Sequence, residues 1–269
     1  MTDIPFIFGT EEAIMASVTF LESWFRVACC AAALALVAVA AVARAGEPPE
    51  KDLLKGPAGD LEVTFVGHGS LILSAGGVVV HVDPWGKLAD YGALPKADVV
   101  LVTHEHQDHL DPKAIAAVCK ASTRVIASAA AVAQIPGAAA MANGDQAVAA
   151  GVPIEAVPAY NLRHEREPGV PYHPKGRGNG YVLTMAGLRI YVAGDTENVP
   201  EMKALAGVDV AFLPMNVPYT MTPEMAADAA LMVRPKILYP YHFGETDTSR
   251  LAALLKDHPE IEVRIRRMP

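Results

Sequence analysis

Three histidines and one aspartate lie within six consecutive positions of the chain, in the segment Val-Thr-His-Glu-His-Gln-Asp-His-Leu at 102–110. His104 and His106 are two positions apart, so an extended segment can aim both imidazoles at one cation, while Asp108 and His109 can serve a second. Imidazole and carboxylate ligands without thiolate suit zinc, and also manganese or iron. The segment therefore predicts a site for two divalent metal ions. The alternative is a solvated polar loop.

The elements around this segment indicate how it is held. The run Ala97–Val102 is short, apolar and rich in β-branched residues, which is typical of a buried strand. Asp111 and Pro112 predict the start of a helix that runs to Lys120, because Asp is a good N-cap and Pro is favoured at the first helical position. The candidate ligands thus lie in a loop whose base is fixed by a strand.

A second copy of this pattern occurs downstream. The strand pattern starting at Asp98 precedes Pro112 by fourteen positions, and the one starting at Asp209 precedes Pro223 by the same fourteen. Each proline opens an alanine-rich helix pattern. This repetition predicts an internal duplication in which neither half covers its own sheet, so that the halves pack sheet against sheet with helices outside.

Two further candidate ligands follow strand patterns in the second half. Asp195 comes after the apolar run Ile190–Ala193, and Gly194 between them permits a tight turn. Its alternative role is a turn residue or helix N-cap. His242 follows the strand pattern Ile237–Pro240, and its alternative is an exposed histidine at a strand end. We expect ligands at such positions because a loop can bend a side chain inward while the strand stays rigid.

These motifs, in this order, resemble the metallo-β-lactamase superfamily from about Leu61 to about Ile265, since His-x-His-x-Asp-His after a buried strand is its signature. The most similar branch includes ascorbate-phosphate lactonase and N-acyl phosphatidylethanolamine phospholipase D. The motifs of that branch are Gly67-His68-Gly69-Ser70, Asp83-Pro84-Trp85, His173-Pro174-Lys175-Gly176, Gly194-Asp195-Thr196-Glu197 and Pro240-Tyr241-His242. The resemblance implies an α/β fold, the αβ/βα four-layer sandwich of two duplicated halves, with a metal cleft along one edge between the sheets.

The resemblance also implies roles for individual residues. The implied metal ligands are His104, His106, Asp108, His109, His173, Asp195 and His242, with Asp195 bridging the two metals. The predicted loop Tyr160–Gly178 contains both His164 and His173. The family's Pro-Lys-Gly motif follows His173 and favours this histidine as the metal ligand. The charged neighbours of His164 are typical of a surface turn. Asp108 and His68 are the predicted catalytic residues, and Asp83 is expected to fix the tautomer of a ligand imidazole.

The chemistry expected of such a site is hydrolysis. Two cations that share a water lower its pKa from roughly 15.7 to around 7. The predicted function is therefore a metal-dependent hydrolase that attacks an ester, lactone or phosphodiester bond with a bridging hydroxide. The alternatives are an iron-dependent oxidoreductase and a non-catalytic metal-binding module. The oxidoreductase is disfavoured because flavin-coupled diiron members of the superfamily carry Glu where this chain has His106. The binding module is disfavoured because it should have lost ligands, whereas all seven candidate positions are filled here.

The N-terminal part has a different composition from the rest. Residues Val27–Ala43 carry no charge, and Ala43-Arg44-Ala45 offers a small-residue cleavage site. We therefore predict a signal peptide over residues 1–45, with an uncleaved membrane anchor as the alternative, and export to the periplasm or beyond. Residues 46–60 are rich in Pro, Gly and charge and are predicted to be a linker. Residues 61–269 form the predicted hydrolase domain.

Charge and composition limit the partners. The 269 residues carry a net charge of −8 and contain no long basic run, which argues against nucleic acid as a partner. The expected partner is a small-molecule substrate, with membrane contact only through an uncleaved N-terminal segment. The pattern makes no prediction about the oligomeric state.

Overall fold

Two seven-stranded β-sheets form the centre of the computed structural model, which describes residues 48–268. The first sheet has the strand order β1-β2-β3-β4-β5-β6-β7. Strands β1 to β4 pair antiparallel, and β4 to β7 pair parallel. Their bounds are Glu50–Gly56, Gly59–Gly67, Ser70–Ala75, Val78–Val82, Val99–Val102, Arg124–Ser128 and Ala139–Met141.

The second sheet has the strand order β16-β15-β14-β13-β12-β9-β8. Strands β8, β9, β12 and β13 pair antiparallel, and β13 to β16 pair parallel, so this sheet repeats the arrangement of the first. The bounds of its strands are Gln146–Ala149 (β8), Val152–Ala159 (β9), Gly178–Met185 (β12), Leu188–Val192 (β13), Val210–Pro214 (β14), Ile237–Tyr241 (β15) and Glu262–Val263 (β16). A separate hairpin consists of β10 (Glu165–Glu167) and β11 (Val170–Pro171).

The repetition extends to individual hydrogen bonds around Asp98 and Asp209, which precede corresponding strands. Asp98 Oδ2 accepts from Val79 N at 3.0 Å, and Asp209 Oδ2 accepts from Arg189 N at 2.8 Å. Each donor is the second residue of the preceding parallel strand. Each carboxylate also pairs with a lysine that precedes the following strand. The two halves are therefore built in the same way, as the spacing in the sequence predicts.

Three hydrophobic cores separate the layers. The largest lies between the two sheets and includes Leu61, Tyr181 and Phe212. A second lies between the first sheet and helix α1 (Pro112–Val118). The third lies between the second sheet and helices α2 (Pro223–Val233) and α3 (Thr248–Leu254). This order of helix, sheet, sheet and helix confirms the predicted αβ/βα sandwich.

The predicted helix starts are correct, but the ends differ. Asp111 caps α1 by accepting from Lys113 N and Ala114 N. The helix ends at Val118, two residues before the predicted end, because Cys119 is extended and the chain turns toward β6 there. A short 3₁₀ turn follows β6 at Val132–Gln134.

The prediction of a linker over residues 46–60 is wrong, because this segment contains β1 and the start of β2. Leu54 enters the core between the sheets, and Asp52 accepts from Arg266 Nη2 at 2.8 Å and from Tyr239 Oη at 2.5 Å. The charged residues belong to an edge strand, where charge limits pairing with other chains. The first strand of the domain therefore begins at Glu50. The predicted signal segment, residues 1–45, lies outside the described residues.

Within residues 48–268, no helix is both long and apolar enough to cross a membrane.

Candidate metal centre

The candidate ligands lie at one edge of the sandwich, where parallel strands of both sheets end. In the first sheet, β4 ends directly before Asp83 and β5 ends at Val102, two residues before His104. In the second sheet, β13 is followed closely by Asp195 and β15 directly by His242. Parallel strands present their carboxyl ends at the same sheet edge, so chain segments far apart in sequence meet there.

Three histidines form the first cluster. His106 Nδ1 lies 3.1 Å from His104 Nε2 and 3.2 Å from His173 Nε2. Asp195 Oδ2 is 3.3 Å from His173 Nε2 and 3.8 Å from His104 Nε2. Ligand atoms around a tetrahedral zinc ion, each about 2.0–2.1 Å from the metal, are about 3.3 Å apart. These four side chains therefore have the spacing of a ligand set.

The second cluster shares the carboxylate of Asp195. His109 Nε2 lies 3.4 Å from Asp195 Oδ1, and His242 Nε2 lies 3.5 Å from Asp195 Oδ2. Asp108 Oδ2 is 3.7 Å from His242 Nε2 and 3.9 Å from His109 Nε2. Because Asp195 faces both clusters, its position suits a carboxylate that bridges two cations.

Three buried atoms of the second cluster have no hydrogen-bond partner among the described residues. They are His109 Nε2, His242 Nε2 and Asp195 Oδ1. A buried polar atom left unpaired costs about 1–3 kcal/mol. A cation between the three atoms would satisfy all of them, so the residues present fit a metal ion at this point.

The carboxylate of Asp83 orients one ligand in each cluster. His109 Nδ1 donates to Asp83 Oδ2 at 2.8 Å, which leaves the lone pair of Nε2 for a cation. Thr103 Oγ1 donates to the same oxygen at 2.7 Å and therefore accepts from His104 Nδ1 at 2.9 Å. His104 Nε2 is then also unprotonated. The prediction for Asp83 agrees with this arrangement, whereas the part played by Thr103 was not foreseen.

His173 is held by Asn161. The ring Nδ1 donates to Asn161 Oδ1 at 2.6 Å, and the backbone N of His173 donates to the same oxygen at 2.8 Å. The Asn161 amide is fixed in turn, because its Nδ2 donates to Glu197 Oε1 at 3.2 Å and to Tyr219 O at 2.9 Å. These contacts direct Nε2 of His173 toward the first cluster. Sequence analysis assigned no role to Asn161.

Glu197 is fully buried and anchors the segment that follows Asn161. Its carboxylate accepts from the backbone N atoms of Leu162, Arg163 and His164 at 2.9, 2.9 and 2.7 Å. The His164 ring also contacts this anchor, because its Nδ1 lies 2.8 Å from Thr220 O and 3.0 Å from Glu197 Oε1. Among the described residues, His164 is thus absent from the ligand clusters, and His173 is present.

His68 lies beside the second cluster. Its Nε2 is 3.0 Å from Asp108 Oδ2, and its ring centroid is 3.6 Å from that of His242. A Cβ added at Gly69 would lie 2.8 Å from His109 Cε1, so the glycine allows the chain to approach this ligand closely. The backbones of His68, Asp83 and His242 are left-handed, with φ of 50°, 45° and 46°. Such conformations concentrate at functional sites, where the surrounding structure holds them.

The carboxylates around His109 favour positive charge at the centre of the cluster. Burial alone lowers the pKa of His109, but Asp195, Asp83 and Asp108 outweigh it and raise the pKa to about 9. At His104, burial and the neighbouring His109 hold the pKa well below its ordinary value. A divalent cation would supply the favoured positive charge while leaving the imidazole nitrogens as ligands.

A cleft of about 500 Å³ opens above the two clusters. Besides ligand residues, it is lined by Arg166, Tyr172, Asn216 and Tyr219. The rings of Tyr172 and Tyr219 meet edge to face with their centroids 5.0 Å apart. The β10–β11 hairpin that carries Arg166 lies within the segment 160–178, which was predicted to be a loop without regular structure. The centre is thus accessible from one side.

Comparison with known proteins assigns the family. The β-lactamase superfamily domain matches residues 62–242. A UPF0173 metal-dependent hydrolase from Anaeromyxobacter dehalogenans is 32% identical over 254 residues, covering 78% of this chain and 86% of that protein. A solved structure of a candidate metal-dependent hydrolase from Parabacteroides distasonis is 49% identical, with a TM-score of 0.78, and covers 82% of this chain and 100% of that one. The chain therefore belongs to the metallo-β-lactamase superfamily, in the UPF0173 family of metal-dependent hydrolases.

Proposed function

We propose that this metal-dependent hydrolase holds two divalent cations, with zinc the expected metal, and cleaves an ester, lactone or phosphodiester bond. The observation that carries the proposal is the set of three buried, unpaired atoms in the second cluster: His109 Nε2, His242 Nε2 and Asp195 Oδ1. The first cluster has the ligand spacing for one cation, and these atoms add a place for another. The shared carboxylate of Asp195 suits a pair of metals rather than two separate ones.

The donor set supports the choice of metal. Five imidazoles and two carboxylates make up the two clusters, the imidazole of His68 lies within the same group as Asp108, His109 and His242, and no thiolate is among these side chains. Imidazole-rich sites suit zinc, and a mixture of imidazole and carboxylate also accepts manganese or iron. Zinc is therefore the first metal to test, and the other two are the comparison.

The chain's own residues provide orientation and charge at the reaction centre. When bound, the cations would make a hydroxide available near neutral pH and polarise the substrate oxygen that gains charge. Burial raises the pKa of Asp108, but the neighbouring imidazoles of His242, His68 and His109 outweigh it and hold the pKa below its ordinary value. Asp108 is thus ionised at neutral pH and can orient an attacking water. His68 Nε2, 3.0 Å from Asp108 Oδ2, holds this carboxylate in place.

Metal analysis of the purified protein is the direct test. The chelated protein is reloaded with Zn²⁺, Mn²⁺ or Fe²⁺, and its metal content is compared with hydrolysis of chromogenic ester, lactone and phosphodiester substrates. We expect about two metals per chain in the wild type and about one in His242→Ala. His258→Ala is the matched control, because His258 is partly exposed and pairs with Glu260 away from the clusters.

Three outcomes would count against the proposal. One metal per chain, unchanged in His242→Ala, would exclude the dinuclear site. Equal hydrolysis by the chelated and reloaded proteins would exclude metal-dependent chemistry. A protein that is active only with iron and consumes oxygen would favour the oxidoreductase alternative.

A further inference from the structure

Arg166 is the one cationic side chain among the described residues that line the cleft above the metal clusters. The remaining lining residues are ligands, an asparagine and two tyrosines. The whole chain has a net charge of −8, so a cationic side chain in the cleft would help to attract and orient an anionic substrate. The position of Arg166 therefore bears on the charge of the substrate.

The guanidinium of Arg166 has no ion-pair partner within residues 48–268. Its one hydrogen bond runs from Nη2 to Tyr172 O at 3.3 Å. The adjacent Glu165 is engaged elsewhere, because its Oε2 accepts from Gly169 N at 2.8 Å in the hairpin turn. Arg166 is exposed and lines the cleft, so most of its five N–H donors remain available to a ligand there.

The backbone that carries Arg166 is fixed next to the metal clusters. His164 N donates to the buried Glu197 carboxylate at 2.7 Å, and Tyr172 N donates to His164 O at 3.4 Å. The Tyr172 ring packs edge to face against Tyr219, which also lines the cleft. A cation held on an anchored hairpin loses less conformational entropy when it binds an anion than one on a free loop.

We propose that Arg166 binds an oxyanion of the substrate, a carboxylate or phosphate that is separate from the bond cleaved at the metals. The planar guanidinium fork matches two oxygens of either group. Tyr172 and Tyr219 line the same cleft and provide an apolar surface for the part of the substrate that joins the oxyanion to the scissile bond. This inference rests on the proposed function, because it takes the metal clusters as the place of cleavage.

Matched ester substrates provide the first test. Mono-4-nitrophenyl succinate and 4-nitrophenyl butyrate share the same ester bond and leaving group and differ in one carboxylate. We expect the wild type to show a kcat/KM at least tenfold higher for the succinate ester, and Arg166→Gln to lose this preference. Arg163→Gln is the control, because Arg163 is exposed in the same segment and does not line the cleft. Arg166→Lys should restore only part of the preference, since it keeps the charge but not the fork.

A binding experiment separates this inference from the proposed function. Calorimetry of the zinc-loaded protein compares succinate, glutarate and 3-phosphonopropionate with butyrate, and needs no turnover. We expect Arg166→Gln to weaken the binding of the three ligands that carry a second anionic group at least tenfold, and the binding of butyrate by less than twofold. The ligand that the wild type binds most tightly shows whether the site prefers a carboxylate or a phosphate. Equal losses for all ligands, or none, would overturn the inference. Intact Arg166-dependent binding without hydrolysis of any substrate would reject the proposed function alone.

Discussion

Substituting Asp83 by Asn should weaken metal binding at both clusters, although Asp83 is not expected to touch either metal. Its Oδ2 accepts from His109 Nδ1 and Thr103 Oγ1, and its Oδ1 accepts from Thr103 N at 2.8 Å. An asparagine has one acceptor oxygen, so it cannot accept all three hydrogen bonds in either orientation of its amide. Either a buried donor stays unpaired or His109 takes the tautomer that places a proton on Nε2.

The loss of metal affinity expected for Asp83→Asn follows from the groups that Asp83 orients. A change in the group that orients a metal-bound histidine typically lowers metal affinity 10- to 100-fold, which corresponds to about 1.4–2.7 kcal/mol. Asp83 orients His109 directly and His104 through Thr103, so we expect a loss of about this size at each of the two metal positions. A defect confined to the second cluster would mean that the Thr103 link to His104 has no energetic consequence.

Competition with a chromophoric chelator measures the two affinities. Asp98→Asn is the matched control, because Asp98 also accepts a backbone N–H beside β5 but lies at the opposite end of that strand. It should bind both metals like the wild type. If Asp83→Asn binds both metals within twofold of the wild type, the orientation argument is refuted.

Three further predictions follow from individual contacts. His173→Ala should weaken metal binding by more than 100-fold because it removes a ligand, whereas His164→Ala should alter metal affinity by less than tenfold. Metal titration of both variants measures this difference. The reverse result would exchange the roles of the two histidines. Burial lowers the pKa of His81 to about 4, below the unfolded value of about 6.5, so its contribution to stability is present above pH 6.5 and is lost as the pH falls toward 4. The wild type should lose about 3 kcal/mol of its free energy of unfolding in this way. Urea unfolding at pH 7 and pH 4 should show that the free energy of unfolding of His81→Gln falls by correspondingly less. Glu197→Gln should increase amide hydrogen exchange at residues 162–164 and weaken metal binding through Asn161, and unchanged exchange would refute the anchoring role.

Local patterns were sufficient for the parts of the site that follow strands. His104, Asp195 and His242 were predicted because each follows an apolar run, and the structure brings all three together at one edge of the sandwich. The cap at Asp111 was also predictable, because capping depends only on residues two or three positions away along the chain.

Features that depend on distant partners could not be predicted in this way. The strand β1 was assigned to a linker because its charges find their partners far along the chain, as Asp52 does at Arg266. Asn161 and Glu197 were overlooked as supports of the site because they act through contacts made only after folding. His173 was preferred over His164 on the family pattern and on the charged neighbours of His164. Both histidines lie in one segment, and their different contacts arise only in the fold.

The shared arrangement of ligands has a consequence for when the protein acquires its metal. His104, His106, Asp108 and His109 come from the first half of the duplication, whereas His173, Asp195 and His242 come from the second. Each cluster draws on both halves, so a nascent chain that has folded only its first half offers two donors at each position. We therefore expect high-affinity loading to require His173 and Asp195 at the first cluster, Asp195 and His242 at the second, and the packing of the two sheets. We expect the ions available where folding is completed, together with the preference of the ligands, to decide which metal the protein retains.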